Sequence, residues 1–588
     1  MSILFFCADL HVPQHLDRYK QALPQIAKTD DVTIIYFRFP LLVHLVPENA
    51  EIVQYLFSSL RSLKTIKELC GVASLPEDLD REGVRIVCPV SLLEESALKS
   101  IVTTVVQRDI REIQEFRWRK YFIYDHLRRD VSLCLKQQNL EATSPNDIAK
   151  INFIKLTMIS MALSIEIVYS YLNRIKKSYK FVNRGIIPDA YSSYLAVADL
   201  LEGDGIPSMI LTADPHYSKL LKIVPLQPHA LNIAVHNIQQ IAHEYASPGL
   251  MFSAAKSYIL DKIIKGDSAQ AYSSSSSDPY FQELVKSYMA KYNMSLVYYT
   301  SSPDEQYMNT QVYSDHMLQG GRISRGIRVF GDEYELIRDL LEFCSLNKYG
   351  LIVRMHPRLG SDHRSSQTSS SRKDFIDILD NFQTNSDFRP LTILPEVKLS
   401  SYWLAAHSSV NVFFRSSIGN ELSMLGLPTI SPNHLDSYTY QGMAHETSTA
   451  AHCFDDWHKM LHSSVKSRFT YFVQYAVRGF YIQRFSSTFR IQSVPEVVSE
   501  ITDADEWSEN IISCADTDRL QSFIGSGSSL GIPRISGYWP YSMYRQSLVG
   551  YLNWLLNVVY PSLGVDREVV APIIRVQFQK YHESARIL

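Results

Sequence analysis

Three basic side chains follow one strongly apolar segment, GLIV at 350–353. They are Arg354, His356 and Arg358, and Pro357 between them stops a strand from continuing. Cationic donors of this kind hold phosphate groups and stabilise the negative charge that builds on a phosphate as it departs. The segment therefore predicts a phosphate-binding turn at the end of a strand. A solvated surface loop is the alternative.

A second apolar segment, VNVFF at 410–414, runs directly into a basic residue and two small hydroxyl residues. Arg415, Ser416 and Ser417 precede a predicted helix, and the free amides at a helix start bind anions. Glu421 lies about one turn into that helix, where its carboxylate could accept hydrogen bonds from ribose hydroxyls. An ordinary strand–helix turn with serine caps is the alternative.

The segment TSSPDEQ at 300–306 also follows an apolar run. Ser301 or Ser302 could cap a helix here, and Asp304 and Glu305 would complement the helix dipole. The functional interpretation turns the same hydroxyls and amides toward a phosphate or a sugar, with a carboxylate binding sugar hydroxyls. Capping and ligand binding both explain this composition.

Glu396 follows the apolar segment LTILP at 391–395 and leads into a helix predicted to begin near 401. This region could hold the base of a nucleotide. It shares one feature with the three segments above, because each follows a short apolar run. In open parallel sheets, ligands bind at the carboxyl ends of the strands. We therefore expect these segments to lie together around one ligand.

Short apolar runs alternate with helical patterns along the chain, which predicts an α/β fold with parallel sheets covered on both faces. At 588 residues the chain is too long for one hydrophobic core. We therefore predict two Rossmann-like domains facing a cleft, with a helical C-terminal extension. The predicted strands are 2–7, 32–38, 84–90, 208–212, 295–299, 350–353, 391–395, 410–414 and 427–431. The predicted helical regions are 51–70, 93–140, 148–175, 190–201, 332–346, 455–500 and 541–560, and 361–374 is a predicted surface loop.

Composition argues against several classes of site. The net charge of −3 gives no electrostatic reason to expect nucleic-acid binding. Seven cysteines without a CxxC pair argue against structural zinc and favour reduced thiols. Asp and Glu do not cluster as a Mg²⁺–diphosphate bridge requires, so we expect no metal and no other cofactor.

Targeting signals are also missing from the sequence. The first apolar run is about five residues, too short for a signal peptide, and eighteen apolar residues never follow one another. We therefore expect a cytoplasmic protein without a membrane span. Segment 534–560 mixes basic, aromatic and apolar residues and could rest on the inner face of the cytoplasmic membrane. A helix that closes onto the first domain is the alternative.

Taken together and in this order, the polar segments resemble bacterial capsule and lipopolysaccharide polysaccharide-biosynthesis glycosyltransferases of GT-B architecture. The second domain of that group carries TSS-acid-Glu, Arg-hydrophobic-His-Pro, a Tyr-hydrophobic pair after a proline, and Ser-Ser/Thr-hydrophobic-Gly-x-Glu with a later Gly-x-Pro. Here the matching segments are Thr300–Glu305, Arg354–Pro357, Pro395–Leu404 and Ser416–Pro428. The His-Pro and Ser-Ser elements are also similar to those of bacterial sialyltransferases and β-Kdo transferases.

The resemblance implies that His356 contacts the phosphate of a nucleotide-sugar donor, with Ser416 and Ser417 beside it. It also implies that Glu421 and the region of Glu396 hold the nucleoside. The implied donor is a CMP-activated keto-acid sugar, such as a sialic-acid-like nonulosonate or Kdo. The implied acceptor is a bacterial surface glycan or a lipid-linked glycan. A UDP- or GDP-sugar transferase, an epimerase of the same fold and a non-catalytic scaffold of a polysaccharide assembly complex remain alternatives.

The resemblance also suggests a division of the chain. We predict an acceptor-side domain at 1–245, a linker with a Ser-rich loop at 246–290 and a donor domain at 291–455. A helical region at 456–588 is expected to pack back on the first domain. VNRG at 182–185 resembles the Asn-Gly strand end of the group, with an arginine inserted before the glycine.

Such a transferase needs a base for the acceptor hydroxyl or a nucleophile for a covalent intermediate. By the geometry of a cleft, this group should lie in loops of the first domain. Asp9 and His11 follow the first strand, and Asp214 in TADPH follows a later strand. Asp214 is our narrow preference, with Asp304 or Glu305 of the second domain as the competing choice. Each of these side chains is also explained as a turn residue.

Overall fold

The computed structural model describes a set of segments together with isolated residues between them. These segments are 2–7, 31–36, 84–87, 89–124, most of 131–177, 184–188, 208–213, 220–225, 248–265, 277–302, 332–361, 368–414, 416–432, 445–446, 488–490 and 541–566. All structural statements below concern these described residues.

The strands fall in two groups along the chain. The earlier strands are β1 (Ser2–Cys7), β2 (Asp31–Tyr36), β3 (Val84–Val87), β4 (Arg117–Trp118), β5 (Tyr121–Phe122), β6 (Arg184–Pro188), β7 (Ser208–Ala213) and β8 (Leu220–Pro225). The later strands are β9 (Ser295–Tyr299), β10 (Gly350–Arg354), β11 (Leu391–Ile393), β12 (Val410–Phe413), β13 (Thr429–Ser431), β14 (His445–Glu446) and β15 (Thr488–Arg490).

The helices connect and cover these strands. They are α1 (Glu95–Gln107), α2 (Ile148–Lys177), α3 (Pro248–Ile259), α4 (Pro279–Met289), α5 (Glu333–Asn347), α6 (Ser370–Asn385), α7 (Ser401–His407), α8 (Ser417–Met424), α9 (Tyr541–Trp554) and α10 (Tyr560–Ser562). Short 3-10 turns cover Pro89–Leu92, Ile110–Glu115 and Pro357–Leu359, and wider π-helical turns cover Leu260–Lys265 and Leu555–Val559.

The second sheet has the strand order β11-β10-β9-β12-β13-β14, and every neighbouring pair is parallel. The chain starts at β9, moves outward through β10 to β11, and then returns to β12 on the other side of β9. This is the order of a Rossmann fold, and it reverses between β9 and β12. The reversal opens a crevice beyond the carboxyl ends of these two strands.

The first sheet has the order β15-β8-β7-β6-β1-β2-β3 and a similar reversal, between β1 and β6. Strands β1, β2, β3, β6 and β7 run parallel, whereas β8 and β15 are antiparallel additions at one edge. The predicted α/β class with two Rossmann-like sheets is therefore confirmed. The assignment of VNRG as a strand end is not, because β6 begins at Arg184 and Gly185 already pairs with Leu4 of β1.

Alternating side chains of the second sheet explain why both its faces are covered. Along β9, Leu296 and Tyr298 pack in one core with α5 and α6. Val297 and Tyr299 point to the other face, where they pack with α3, α4, α7 and α9. Strands buried on both faces read as continuous apolar runs, which is why these strands were predictable from sequence.

The C-terminal helices pack on the second sheet. Tyr551 of α9 donates a hydrogen bond to the Met424 carbonyl at 3.0 Å, and Tyr560 donates to the Leu425 carbonyl at 2.6 Å. Leu548 and Leu555 are buried in the same core. The expected packing of region 456–588 on the first domain is found at β15, which pairs with β8, whereas the described helices α9 and α10 pack on the second sheet instead. The apolar face of α9 is thus covered by protein, and the part of segment 534–560 before Tyr541 lies outside the described residues.

Two further expectations differ from the structure. Region 93–140 is not one long helical unit, because α1 ends at Gln107 and the Asp109 carboxylate caps a new turn by accepting from the Arg111 amide at 2.9 Å. A β4–β5 hairpin follows it. In the expected loop 361–374, Ser369 caps α6 by accepting from the Ser371 amide, so the helix already starts at Ser370.

Helix α2 is long and apolar enough to cross a membrane by length and composition over Ile148–Ile175. However, 67% of its most apolar stretch is buried inside the protein. Its one buried acid, Glu166, accepts two hydrogen bonds from the Arg119 guanidinium, at 2.9 and 2.7 Å, and one from the Trp118 indole. Packing in the first core therefore accounts for the apolar composition of α2.

Candidate functional site

Three strand ends lie side by side in the second sheet. Tyr299, the last residue of β9, pairs with Arg354 of β10 on one side and with Phe413 of β12 on the other. The residues that follow these strands therefore leave the sheet at one level. We call residues 300–302, 355–357 and 416–417 the central edge. The central edge contains Ser301, Ser302, His356, Ser416 and Ser417 of the predicted site.

The turn after β10 presents His356 at the central edge. Its backbone amide donates to the Thr300 hydroxyl at 2.8 Å, and the Thr300 amide donates to the Arg354 carbonyl at 3.1 Å. The ring nitrogen Nδ1 accepts from the Arg358 amide at 3.2 Å. An acceptor at Nδ1 requires a neutral ring with its proton on Nε2, which makes Nε2–H a hydrogen-bond donor. The ring is half-buried.

The Arg354 side chain forms hydrogen bonds with backbone carbonyls of the loop at 394–399. Its guanidinium donates to the carbonyls of Leu394 at 2.8 Å, and of Val397 and Leu399 at 3.3 Å each. The side chain is 4% exposed. Burial lowers the pKa of Arg354 to about 10, against opposing effects of Tyr299 and Glu396, so the group stays charged at neutral pH. Because it braces the loop 394–399, we leave Arg354 out of the phosphate site.

The turn after β9 holds a buried carboxylate that sequence reasoning missed. Glu333 accepts from the Tyr298 hydroxyl at 2.8 Å, from the Ser301 amide at 2.7 Å and from the Ser301 hydroxyl. Burial first, and then the Glu333 charge, raises the pKa of Tyr298. Ser301 therefore has both its amide and its hydroxyl engaged by Glu333. Ser302 beside it is buried.

A pair of substitutions at Glu333 tests this assignment. Glu333→Ala leaves the buried amide of Ser301 without its acceptor, and we expect a loss of about 1–3 kcal/mol in the free energy of unfolding. Glu333→Gln keeps an acceptor oxygen and an amide that can donate to the Ser301 hydroxyl, so its loss should be clearly smaller. Urea unfolding measures both. Equal losses in the two variants would contradict the hydrogen-bonding role.

The turn after β12 leads directly into α8. Ser416 is the N-cap residue of α8, yet its side chain makes no capping hydrogen bond. Ser416 is half-buried and Ser417 is exposed at the first helical position. The first amides of α8 and two hydroxyls thus meet at the central edge, which is the arrangement that binds anions. Arg415 lies outside the described residues.

Gly419 brings α8 close to the sheet. A Cβ atom at this position would lie 2.1 Å from the Phe413 ring, so only glycine fits here without a shift. The close approach sets the start of α8 directly beyond β12. The adjoining Asn420 is buried, and its Oδ1 atom has no hydrogen-bond donor.

Glu421 lies in the core, at 3% exposure. One carboxylate oxygen accepts from the Tyr258 hydroxyl at 2.9 Å and pairs with the Lys262 ammonium. The other accepts from the Tyr402 hydroxyl at 2.6 Å. Burial lowers the pKa of Lys262, but the Glu421 charge outweighs it, so the net pKa lies above the usual range. Both oxygens are engaged, which differs from the expected contact with ribose.

Glu396 lies on the loop that Arg354 braces. Its side chain is 52% exposed and forms an ion pair with Arg372 of α6, with a second contact between Nη2 and Oε2 at 3.2 Å. It is close to Gly360, where an added Cβ atom would lie 3.0 Å from its carboxylate. Glu396 is therefore beside the turn that follows β10, and contact with a nucleoside remains a prediction.

The predicted groups for base or nucleophilic chemistry lie outside the described residues. They are Asp9, His11, Asp214, Asp304 and Glu305. Asp9 follows β1 by two residues and Asp214 directly follows β7, so the strand ends that would carry them are as expected. Within the described segments, no three His, Cys, Asp or Glu side chains are grouped as metal ligands.

Comparisons with known proteins add distant likenesses. No family model matches the chain, and no curated protein matches it. Among solved structures, it is similar to a UDP-GlcNAc 2-epimerase of Methanocaldococcus jannaschii in complex with UDP-GlcNAc and UDP, at 10% identity over 79% of this chain and 94% of that chain, with a TM-score of 0.24. It is also similar to KpsC, a β-Kdo 2,4 transferase of Thermosulfurimonas dismutans, at 12% identity over 47% of this chain and 78% of that chain, with a TM-score of 0.27.

A third similar structure is TcCGT1 in complex with UDP, at 9% identity over 90% of this chain and 99% of that chain, with a TM-score of 0.24. The three identities are all at or below 12%. Values this low do not assign the chain to any of these families. Its fold class follows from its own strand orders.

Proposed function

We propose that this chain is a glycosyltransferase that moves a sugar from a nucleotide donor to a bacterial surface glycan. The observation that supports it best is the order of the strands: His356 follows β10 and the Ser416–Ser417 turn follows β12, on the two sides of β9, beside the reversal of strand order between β9 and β12. Open α/β sheets bind ligands in the crevice outside such a reversal. The donor phosphates would lie there, and the acceptor would enter from the first sheet.

The chemistry of transfer requires hydrogen-bond donors for the departing nucleotide. Negative charge builds on its phosphate as the glycosidic bond breaks, and preorganised donors stabilise that charge. The Nε2–H group of His356, the first amides of α8 and the hydroxyls of Ser416 and Ser417 are such donors. In this proposal they bind the phosphate without a metal ion. Asp214 remains our first choice as base, with Asp9, His11, Asp304 and Glu305 as alternatives.

The proposed donor is a CMP-activated keto-acid sugar. It rests on the likeness of the His-Pro and Ser-Ser elements to those of sialyltransferases and β-Kdo transferases. A UDP- or GDP-sugar would be held by the same hydrogen-bond donors. In this proposal those groups contact the phosphates and not the nucleotide base. The proposed acceptor is a glycan or a lipid-linked glycan at the cytoplasmic face of the membrane.

Nucleotide binding is tested by a thermal-unfolding panel of CMP, UDP and GDP with their sugars. A ligand at a hundredfold excess over its Kd stabilises the folded state by about 2.7 kcal/mol, so we expect CMP or a CMP-sugar to raise the unfolding temperature. A rise in unfolding temperature with UDP and none with CMP would overturn the assignment of a CMP-activated keto-acid sugar as the donor. No shift with any nucleotide would overturn the proposed function.

The site is tested by two histidine variants. We expect His356→Ala to weaken nucleotide binding by about tenfold, since one charge-stabilising hydrogen bond contributes roughly 1.5 kcal/mol. His407→Ala is the control, because His407 ends α7 just before β12 begins and therefore lies at the opposite edge of the sheet. Its ring stacks on Trp403 at 4.3 Å. Equal nucleotide affinity of the two variants would contradict the placement of the donor phosphate beside His356.

The reaction is tested by product analysis with the nucleotide-sugar that binds. Sugar attached to an added glycan acceptor, with release of free nucleotide, is the expected result. Free isomerised sugar would identify an epimerase instead. Protection by nucleotide without turnover on any acceptor would identify a non-catalytic scaffold, and both outcomes would overturn the transferase.

A further inference from the structure

Lys136 combines two unfavourable features in the first core. It directly follows the helical residues 134 and 135 and has a φ of 49°, in the left-handed region that residues other than glycine rarely adopt. Its side chain is also only 1% exposed, although lysine is among the residues least often buried. Both features cost free energy, so contacts of Lys136 with the rest of the protein must offset that cost.

Two hydrogen bonds join Lys136 to the second sheet. The ammonium donates to the Gly360 carbonyl at 2.6 Å, across 224 residues of sequence. The Lys136 carbonyl accepts from the Ser370 amide, at the start of α6, at 3.1 Å. Meanwhile its neighbours Val131 and Leu135 pack in the core of the first sheet with α1 and α2. Lys136 therefore ties the first core to the turn that follows β10 and to the start of α6.

Gly360 is the far end of the turn that begins at His356. The Leu359 amide donates to the His356 carbonyl at 2.9 Å, and the Gly360 amide donates to the Pro357 carbonyl at 3.1 Å. The Leu359 carbonyl in turn accepts from the Ser369 amide at 3.1 Å. A contact at the Gly360 carbonyl therefore acts on the same 3-10 turn whose Arg358 amide donates to the His356 ring.

We propose that Lys136 is a positioning residue that holds the His356 turn from the other half of the molecule. The turn keeps its orientation only while the first core stays in contact with the second sheet, so phosphate binding depends on the arrangement of both halves. The structural part of this inference stands on the two hydrogen bonds. The part that concerns nucleotides rests on the proposed function.

Lys348 provides a matched comparison. It also ends a helix in the left-handed region, with a φ of 56°, after α5. Its side chain is exposed, so a left-handed helix end does not by itself require a buried lysine. Substitution of Lys348 changes the same residue type in the same backbone conformation without touching the His356 turn.

Hydrogen exchange tests the structural part with three variants. Lys136→Met removes the ammonium, and Lys348→Met is its control. Ser370→Pro removes only the amide that donates to the Lys136 carbonyl, because proline is well tolerated at the first position of a helix. Ser369 before it has an extended backbone, as a residue before proline requires.

We expect the amides of 355–361, apart from Pro357, which has none, to exchange at least tenfold faster in Lys136→Met and in Ser370→Pro, since each variant loses one of the two hydrogen bonds that join Lys136 to this region. Exchange in Lys348→Met should match the unmodified protein. Exchange in Lys136→Met that matches Lys348→Met would overturn the proposal. If Lys136→Met does not fold, Ser370→Pro decides by the same criterion.

Calorimetric titration with CMP and UDP tests the functional part. Whichever nucleotide binds the unmodified protein should bind Lys136→Met or Ser370→Pro about tenfold more weakly, because a small misplacement of a positioning group lowers binding and rate strongly. Lys348→Met should bind normally. Normal binding by all three variants would overturn the positioning role. If the unmodified protein binds neither nucleotide and GDP gives no thermal shift, the proposed function fails, and the exchange result still judges the Lys136 contact.

Discussion

Replacement of Lys262 by methionine is expected to lower the free energy of unfolding by about 3–5 kcal/mol, because it leaves the buried Glu421 carboxylate without its countercharge. Glu421 is 3% exposed and Lys262 is its ion-pair partner. Tyr258 and Tyr402 would still donate to the carboxylate, but neither carries a positive charge. Denaturant unfolding at neutral pH measures the effect.

Two further variants separate the ion pair from simple packing. Lys256→Met is the matched control, because Lys256 is half-buried on α3 and its ammonium lies 5.9 Å from the centre of the Trp554 ring, a contact whose loss should cost only about 0.5–1 kcal/mol. Adding Glu421→Gln to Lys262→Met removes the unpaired charge and should recover part of the loss. A double variant no more stable than Lys262→Met alone would contradict the electrostatic explanation.

The same pair has a defined pH dependence. The pKa of Lys262 is raised above its ordinary value of 10.5 in the folded protein. A cation with a raised folded-state pKa contributes its full stabilisation below the unfolded value and loses it as the pH rises through the folded value. The difference in stability between the unmodified protein and Lys262→Met should therefore be constant between about pH 7 and pH 10 and shrink above pH 10.

The strands of the second sheet were predictable because their signal is local. β9, β10 and β12 are short, mostly apolar runs that are buried along their whole length and are followed by polar residues, which is the pattern of a strand covered on both faces. The positions of Ser301, His356 and Ser416 followed from these strand ends, since parallel strands finish at one edge. Residue type and spacing thus placed these three residues at one edge of the sheet, and their role in binding stays a prediction.

The partners of the charged side chains were not predictable, because they are remote in sequence. Glu421 meets Tyr258 across 163 residues, and Lys136 meets Gly360 across 224. Arg354 was expected to face a ligand and instead donates to carbonyls of the next loop. Spacing along a strand or helix tells which edge a residue occupies, whereas the direction of its side chain depends on elements that pack there later. Glu333 was missed for the same reason, since an acid in the first turn of a helix is ordinarily explained by the helix dipole alone.

Gly550 offers a reference for substitutions of glycine inside a helix. It is exposed in α9, and an added Cβ atom would meet no other atom within 4 Å. Gly550→Ala should therefore stabilise the protein by about 0.5–1 kcal/mol, because alanine loses less backbone freedom on folding. Gly550→Ala thus gives the effect of the backbone alone. A loss in the free energy of unfolding when another helical glycine is replaced by alanine is then due to the contacts of the added Cβ atom.

Gly419→Ala is expected to destabilise the protein by roughly 1–3 kcal/mol or more, because the core around it has no room to adjust. The added Cβ atom would lie between 2.1 and 2.4 Å from three carbon atoms of the Phe413 ring, which is itself fully buried. Shortening that ring by Phe413→Leu should be destabilising alone and should restore part of the loss when combined with Gly419→Ala. Because α8 begins at Ser417, the shift forced by Gly419→Ala also moves the Ser416–Ser417 turn away from His356. Nucleotide affinity should therefore fall in Gly419→Ala and recover in the double variant, whereas a stable Gly419→Ala protein with unchanged affinity would show that the close approach of α8 does not form the site.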